Sequence, residues 1–374
     1  MLVGLNLLHA NLGVGGVWDY IKGVMFALGE YEQENEYICY CTSESECLVP
    51  QKPNFLQKKA KFSSKNRIKR IFYENTALQI QAKTDRLDCL HWFANTLGFF
   101  CPVPSVVTIY DMLIYEISKS FSLTRQIYLK SMLPRSVRSA NVIAPMSQST
   151  ADAVARILKG DRARMVIIPP MVADDFRPAS IELADNFRSK YKLPEKFWLY
   201  VAHFYPHKNH VRLFQAYAQM KACGMNHWPL VLRGDKNGAD DLIARLLKET
   251  GITEDIIWLP RLKDEEMPLL FSSAGALVFP SIYEGGGIPV MEAMACGCPV
   301  VASRIPTNIE FAGDAALLFD PLRVDKISEA IQRFESDEKL RAKHRQLGLV
   351  KVEKLRPRSI AKLLVSAYEK ACRK

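Results

Sequence analysis

The amino-acid sequence predicts an α/β protein with two domains, each built around a mainly parallel sheet. The chain has 374 residues, of which 48% are hydrophobic, so it exceeds what one hydrophobic core usually serves and can fill two. Short apolar runs alternate with longer helical patterns in both halves, which is typical of repeated β-α units. Three prolines within residues 168–180 mark a hinge between the halves.

The predicted strands are apolar runs that end at polar or turn residues. In the first half they comprise residues 2–8, 37–41, 89–93, 106–110, 142–144 and 166–168. In the second half they comprise residues 198–202, 230–232, 256–259, 276–279, 299–302 and 316–319. We therefore predict a first domain over residues 1–178 and a second over residues 179–357, with a helix over residues 358–374 that packs back on the first.

Composition narrows the class of protein. The 50 lysines and arginines outnumber 40 acidic residues, and the formal charge of +10 favours an anionic partner such as nucleic acid, a phospholipid surface or a phosphorylated substrate. Nine cysteines without a C-x-x-C pair predict neither a disulfide framework nor a zinc site. The first residues lack the basic start of a signal peptide, and the most apolar stretch, residues 97–115, is interrupted by prolines and an aspartate. We expect a cytoplasmic protein, soluble or peripheral at the inner face of the membrane.

Residues 276–303, ALVFPSIYEGGGIPVMEAMACGCPVVAS, carry the strongest functional pattern. They predict a strand, a glycine loop, a short helix and a second strand. Pro289 suits the first helical position and Gly297 the residue after the last, so the helix is predicted over residues 289–296. The glycines of residues 285–287 leave backbone amides uncovered just before the helix N-terminus, where partial positive charge attracts anions.

Two carboxylates flank this loop. Glu284 precedes the glycines and Glu292 lies in the predicted first turn of the helix, so both can face the crevice beyond the strand ends. Carboxylates in such a place accept hydrogen bonds from sugar and ribose hydroxyls. The alternative is that Glu292 only complements the helix dipole and the glycines only form a tight turn.

The segment EGGGIPVMEAMACGCPVVAS resembles the E-x7-E signature of the retaining family 4 glycosyltransferases, of the bacterial polysaccharide type. The resemblance extends to WLYVAHFYPHKNHVRL in the second half and to VIAPMSQSTADAV in the first. It implies a GT-B fold, with two Rossmann-like domains whose parallel sheets face across a cleft. It also implies that a sugar moves, with retention of its anomeric configuration, from a GDP- or UDP-linked nucleotide-sugar donor to a glycan or lipid-linked acceptor.

The resemblance assigns roles in the second domain by position. It implies that Glu292 binds the donor ribose hydroxyls, and that Glu284 contacts the transferred sugar and is a catalytic candidate. Lys208, in the P-x-K-N element, is implied to contact the diphosphate and is a second catalytic candidate. It also follows the strand predicted over residues 198–202, at the sheet edge where ligands bind. The amides implied to hold the sugar and diphosphate are those near Gly286, Gly287 and Ile288.

Three weaker donor-binding candidates belong to the same domain. His203 stands where many family members have an arginine, and a histidine supplies no permanent charge. Arg233, after the strand predicted over residues 230–232, can substitute for it or be an ordinary surface arginine. Leu262 lies where the family's base-recognition loop sits, which implies base contacts made largely by the backbone.

The first domain contributes a glycine loop and a tyrosine. A dinucleotide fingerprint would begin at Gly13 and Gly15 but meets Trp18 where its third glycine belongs, which argues against a nicotinamide-dependent dehydrogenase. Gly16 instead resembles part of the family's acceptor-side glycine loop, which faces the donor diphosphate. Tyr110 stands where the family has a histidine that touches the transferred sugar, so it is the third catalytic candidate.

Residues 52–70, from Lys52 to Arg70, contain eight lysines and arginines and no acidic residue. Apolar side chains interrupt the charges, so the segment is expected to lie on an anionic membrane, with a solvated loop and helix face as the alternative. Nucleic-acid binding is not expected, because no recognised motif accompanies the charge.

The combined interpretation is a metal-independent glycosyltransferase of lipopolysaccharide or other cell-envelope polysaccharide biosynthesis. The sequence holds no D-x-D triplet, and Lys208 and the loop amides can stabilise the diphosphate charge that a divalent ion stabilises in metal-dependent enzymes. Neither a metal site nor a cofactor is expected, since the nucleotide sugar is a substrate. Two alternatives stay open: a nucleotide-sugar epimerase or hydrolase of the same fold, and a nucleotide-sugar-binding protein without catalysis.

Overall fold

The computed structural model describes residues 1–10, 15–117, 121–225 and 227–373, so Gly13 lies outside the described part. The chain forms two compact units, a first unit of Met1–Ala173 with Leu355–Lys374 and a second unit of Asp174–Lys354. It leaves and re-enters the first unit at one place, where Val172 N donates to Leu355 O at 3.0 Å. The division at residues 173 and 355 falls before the predicted limits at residues 178 and 357.

The first unit contains one sheet of parallel strands. Its strands are β1 (Leu2–Asn6), β2 (Glu36–Cys41), β3 (Phe55–Lys59), β4 (Cys89–Trp92), β5 (Ser105–Ile109) and β6 (Val142–Pro145). Their order is β3-β2-β1-β4-β5-β6, so the direction of winding reverses between β1 and β4. The helices that precede the division are α1 (Gly15–Tyr31), α2 (Arg67–Glu74), α3 (Ala77–Thr84), α4 (Leu113–Glu116), α5 (Leu123–Ser139) and α6 (Gln148–Leu158).

Two predicted features of the first sheet are wrong. Residues 55–59 form the edge strand β3, although the sequence indicated no strand inside the basic segment. Residues 166–168, predicted as a strand, make only isolated contacts with β6. The reason is that Pro169 and Pro170 follow directly and have no N–H to continue a ladder.

The second unit repeats the architecture. Its strands are β7 (Trp198–Val201), β8 (Leu230–Arg233), β9 (Ile256–Trp258), β10 (Ala276–Phe279), β11 (Val300–Ser303) and β12 (Ala316–Phe319). Their order is β12-β11-β10-β7-β8-β9, again parallel, with the reversal between β10 and β7. Its helices are α7 (Ile181–Tyr191), α8 (His210–Ala222), α9 (Asp240–Thr250), α10 (Met267–Ser273), α11 (Ile288–Ala295), α12 (Pro306–Phe311), α13 (Val324–Ser336) and α14 (Glu338–Val352). Two doubly wound parallel sheets confirm the predicted α/β class.

The C-terminal helix α15 (Pro357–Cys372) belongs to the first unit. Its side chains Ile360 and Leu364 are fully buried and join a core with α1. Tyr368, one turn further on, meets the buried His91 of β4, whose Nδ1 lies 3.0 Å from the tyrosine hydroxyl and whose Nε2 lies 2.8 Å from Thr108 Oγ1. Burial lowers the pKa of His91 to about 3, so the ring is neutral at neutral pH. The helix is therefore fixed to the sheet by apolar packing and by one satisfied polar contact.

Candidate active site

The candidate site lies where the winding of the second sheet reverses. Ligands of open α/β sheets bind at such a point, beyond the carboxyl ends of the two diverging strands. Lys208 follows β7 and Glu284 follows β10, and these strands are neighbours. Lys208 Nζ lies 2.6 Å from Glu284 Oε1, with the side chains 18% and 10% exposed. Two residues that the sequence placed in one crevice are thus in direct contact.

Asn209 fixes the loop that carries Lys208. Its backbone is left-handed, with φ 64°, and its buried Nδ2 donates to Pro280 O at 3.0 Å and to Pro321 O at 2.8 Å. The Tyr200 hydroxyl donates to Lys208 O from β7. The lysine is therefore presented by a loop tied to the chain after β10 and after β12. Sequence reasoning used only the lysine of the P-x-K-N element and missed Asn209, although an asparagine tolerates left-handed backbone better than most residues.

The glycine loop after β10 ends in a helix N-terminus. Gly287 has φ 60°, a conformation that strains residues with a side chain, and it precedes Ile288, the first residue of α11. The helix begins one residue before the predicted position. The backbone of Glu284 is also held in place, because Thr307 Oγ1 donates to Glu284 O at 2.7 Å. Thr307, at the start of α12, is a positioning residue that no sequence pattern indicated.

Glu292 lies one turn into α11 rather than in its first turn, where it was predicted. The dipole of a helix acts mainly within the first turn, so this position weakens the alternative that Glu292 only complements the dipole. Gly286 and Gly287 are buried, and Glu292 is half-buried. Burial first, and the Glu292 carboxylate second, raise the pKa of the Cys296 thiol on the same face of the helix.

His203 lies two residues after β7, and Arg233 is the last residue of the adjacent strand β8. Asp235 N donates to His203 Nδ1 at 2.9 Å. Burial, and next the charge of Arg233, lower the pKa of His203, so the ring carries no charge at neutral pH. Arg233 Nε is buried and has no hydrogen-bond partner among the described residues. The Leu262 side chain is buried, which leaves only its backbone for a ligand.

The two candidates in the first unit, Gly16 and Tyr110, differ in their surroundings: Gly16 is exposed and Tyr110 is buried. Gly16 lies in the first turn of α1, after Gly15 with φ 73°. Tyr110 is buried: its hydroxyl donates to Phe93 O at 2.8 Å, and its ring meets Tyr20 edge-on at 5.4 Å. Burial raises the pKa of Tyr110 well above its ordinary value. These contacts give Tyr110 a packing role, and its catalytic role stays a prediction.

The basic segment, residues 52–70, is more neutralised than its sequence indicates. Four of its side chains meet carboxylates: Lys52 with Glu30 at 3.2 Å, Lys58 with Asp85 at 2.5 Å, Lys59 with Glu46 at 2.6 Å and Arg70 with Glu74 at 3.8 Å. Within the described ranges, the exposed Lys61, Lys65 and Lys69 form no ion pair. Beside them, Ile68 is 83% and Phe72 69% exposed. No helix in the described part is long and apolar enough to cross a membrane.

The arrangement in the second unit can bind a diphosphate. A partly buried lysine and the backbone amides at the start of α11 both favour negative charge, and both are held in place before any ligand arrives. Glu284, once released from Lys208, offers two acceptor oxygens to hydroxyl groups. The predicted candidates Lys208, Glu284, Gly286, Gly287, Ile288 and Glu292 therefore lie on two adjoining loops and the helix that follows one of them.

Comparison with known proteins gives an independent result. The sequence model of the family described as "Glycosyl transferases group 1" matches residues 184–348. The chain is 31% identical over 267 residues, 71% of this chain and 70% of the relative, to "O-antigen chain mannosyltransferase B" of Escherichia coli. It is 30% identical over 204 residues, 53% of this chain, to the "Serotype-specific mannosyltransferase WbdA" of Escherichia coli, but spans only 25% of that longer protein.

Solved structures share the fold. The sucrose-phosphate synthase of Thermosynechococcus elongatus superposes with a TM-score of 0.79, covering 99% of this chain and 98% of that one at 19% identity. At this identity the likeness concerns the fold alone. It agrees with two doubly wound units in one chain.

Proposed function

We propose a reaction for this chain, which belongs to the group 1 glycosyltransferases and has the GT-B fold. The chain transfers a sugar from a nucleotide-sugar donor to a glycan or lipid-linked acceptor. The product belongs to cell-envelope polysaccharide or lipopolysaccharide biosynthesis. The observation that carries the assignment of the site is the contact between Lys208 and Glu284 beside the glycine loop. Both relatives compared above are named mannosyltransferases, so a GDP- or UDP-linked mannose is the first donor to test.

In the proposed reaction the donor diphosphate lies on the amides near Gly287 and takes Lys208 as its counter-ion. The leaving nucleoside diphosphate gains charge as the glycosidic bond breaks, and Lys208 and the helix N-terminus stabilise it most at that stage. Glu284, freed from the lysine, accepts hydrogen bonds from hydroxyls of the transferred sugar. Glu292 takes the ribose hydroxyls. An oxygen of an acceptor hydroxyl forms the new bond to the anomeric carbon as the bond to the diphosphate breaks, and the hydroxyl proton passes to the departing diphosphate. The anomeric configuration is retained, as the family resemblance implies.

We also propose that the reaction needs neither a metal ion nor a cofactor. Support comes from the preformed positive groups, since they supply the charge stabilisation that a divalent ion supplies in metal-dependent transferases. Transfer is then expected to continue at the same rate in EDTA. Loss of transfer in EDTA, with recovery on adding Mn²⁺ or Mg²⁺, would contradict this part of the proposal.

The experiment that tests the function has two steps. Thermal-shift measurements with GDP-mannose, UDP-mannose, UDP-glucose and ADP-glucose identify the donor, because a bound ligand raises the melting temperature by mass action. The stabilising donor is then incubated with the purified chain and a membrane-extracted acceptor, and labelled glycan is measured. Donor turnover without acceptor would favour an epimerase or hydrolase, and binding without turnover would favour a non-catalytic protein.

We further propose that residues 61–72 contact an anionic membrane where the acceptor resides. The exposed Ile68 and Phe72 provide the apolar contact, and the nearby lysines provide attraction of about 1 kcal/mol each. Ile68→Ser should weaken sedimentation with phosphatidylglycerol vesicles, whereas Ile181→Ser, on an equally exposed isoleucine of the second unit, should not. If both variants sedimented equally, residues 61–72 would be a solvated surface and not a membrane contact.

We also propose a cytoplasmic location for the protein. Its nine cysteines are free, which is typical of proteins in a reducing compartment.

A further inference from the structure

A second polar cluster lies at the carboxyl edge of the first sheet, where its winding reverses between β1 and β4. His9 follows β1, and Arg70 comes from α2. Arg70 is only 8% exposed, yet its buried Nε has no hydrogen-bond partner among the described residues. The same is true of the buried Nδ1 of His9. Unpaired polar atoms in such a place are costly, so a native structure usually supplies them with a partner.

The protein's own carboxylate does not meet this need. Glu74 Oε2 lies 3.8 Å from Arg70 Nε, which is too long for a hydrogen bond. Its other oxygen accepts from Asn6 Nδ2 at 3.2 Å. Burial, the largest influence, raises the pKa of Glu74, so its negative charge is disfavoured there. Arg70 is therefore incompletely compensated.

Further positive charge surrounds the cluster. Burial and then the charges of Arg70, Arg125 and Arg67 lower the pKa of His9 to about 3, so the ring is neutral at neutral pH. Arg67 and Arg125 are exposed, whereas Arg70 is buried. The His9 ring therefore lies within the electrostatic influence of three arginines.

We propose that Arg67, Arg70, Arg125 and His9, here called the arginine cluster, bind a phosphoryl group of the acceptor. This inference rests on the proposed function, in which Lys208 and the glycine loop of the second unit already hold the donor diphosphate. A guanidinium presents a fork of N–H groups that matches phosphate oxygens, and a phosphate oxygen supplies the missing acceptor at Arg70 Nε. A position beyond the strand ends, at the reversal of winding, is where such sheets bind ligands. An acceptor linked to its lipid through a diphosphate has the required chemistry.

Binding of inorganic diphosphate tests the cluster without any sugar transfer. Lys208→Met serves as the parent protein, since it weakens the donor site. Calorimetry should show that adding Arg67→Gln and Arg125→Gln weakens diphosphate binding by about tenfold or more, the loss expected for charge-assisted contacts. The control replaces Lys83 and Arg138, exposed in the same unit, by glutamine and should bind as the parent does. Equal affinity of the two double variants, or no binding to the parent, would overturn the proposal.

Kinetics on the otherwise native chain identify the source of the phosphoryl group. With a glycan acceptor on a lipid diphosphate, the variant lacking Arg67 and Arg125 charges should show an acceptor KM raised about tenfold, with the donor KM unchanged. With the same glycan on a neutral linker, the variant and the native chain should agree. If the donor KM rose instead, the arginines would belong to the donor site. If vesicle binding were lost with both KM values unchanged, they would belong to a membrane contact. Either result would refute the inference. If the native chain transfers no sugar, the proposed function fails, and the diphosphate measurement still decides on the cluster.

Discussion

Replacing Lys208 by methionine tests the assigned site most directly. The substitution keeps an unbranched side chain shorter by one atom, and removes the ammonium group that lies 5.8 Å from the centre of the Phe279 ring and 2.6 Å from Glu284. A charge-assisted contact contributes about 1.5–3 kcal/mol, which corresponds to a loss of roughly 10- to 150-fold in kcat/KM. Because the diphosphate gains charge as the bond breaks, kcat should fall as well as the donor KM rise.

Stability provides a second readout of the same variant. Without the lysine, the Glu284 carboxylate, 10% exposed, has lost its counter-ion. Removing one partner of a fully buried pair costs about 3–5 kcal/mol, and the remaining solvent contact reduces this to about 1–3 kcal/mol here. Glu284→Gln in the Lys208→Met background should restore part of the melting temperature but not the activity, because the uncompensated charge is removed and the diphosphate contact is still missing.

The chain offers a matched control for this experiment. Lys190 Nζ also lies 2.6 Å from a glutamate oxygen, in Glu266, but its side chain is 62% exposed, and the pair joins α7 to the residue before α10. Lys190→Met should change the melting temperature little and leave transfer at the native rate. If folded Lys208→Met also transferred sugar at the native rate, the assignment of the active site would be wrong.

Three further predictions concern single side chains. Glu292→Ala should raise the donor KM with a smaller change in kcat, since a ribose contact is similar in the ground and transition states; a loss confined to kcat would contradict the ribose assignment. Tyr110→Phe removes the hydrogen bond to Phe93 and should cost about 1 kcal/mol in unfolding free energy with kcat maintained, so a large fall in kcat would restore the catalytic role. Between about pH 6.5 and pH 3, His91 is protonated in the unfolded chain and neutral in the folded chain. The free energy of unfolding should therefore fall by about 1.4 kcal/mol for each pH unit below 6.5 because of this group. Urea titrations at pH 7, 6 and 5 measure this slope, and His91→Gln should make it shallower.

The parts of the fold that the sequence predicted are those with strong local patterns. All six strands of the second sheet are fully or partly buried apolar runs, and their ends differ from the prediction by at most one residue. The edge strand β3 was missed because its sequence, FLQKK, has mostly exposed side chains and two lysines. Charge on an edge strand prevents pairing with another chain, but it also removes the apolar signal. Tertiary pairing with β2, which no local pattern reports, makes these residues a strand.

The candidate site was predicted in part for a related reason. Lys208 and Glu284 each follow an apolar run, so the sheet-edge rule placed both at the carboxyl ends of strands. Whether two such ends are adjacent depends on the order of the strands in the sheet, and no local sequence pattern predicts that order. Asn209 and Thr307 were missed because they act through hydrogen bonds to backbone atoms far along the chain.

The placement of α15 has a consequence for the order in which the chain folds. Domains commonly fold in sequence as the ribosome produces them, the N-terminal one first. Here the first unit includes Leu355–Lys374, whereas the second unit, Asp174–Lys354, is continuous. The core around α1 stays open until Ile360 and Leu364 emerge from the ribosome. The second unit can therefore be completed first, and the first unit must keep its apolar face from aggregating until α15 is made.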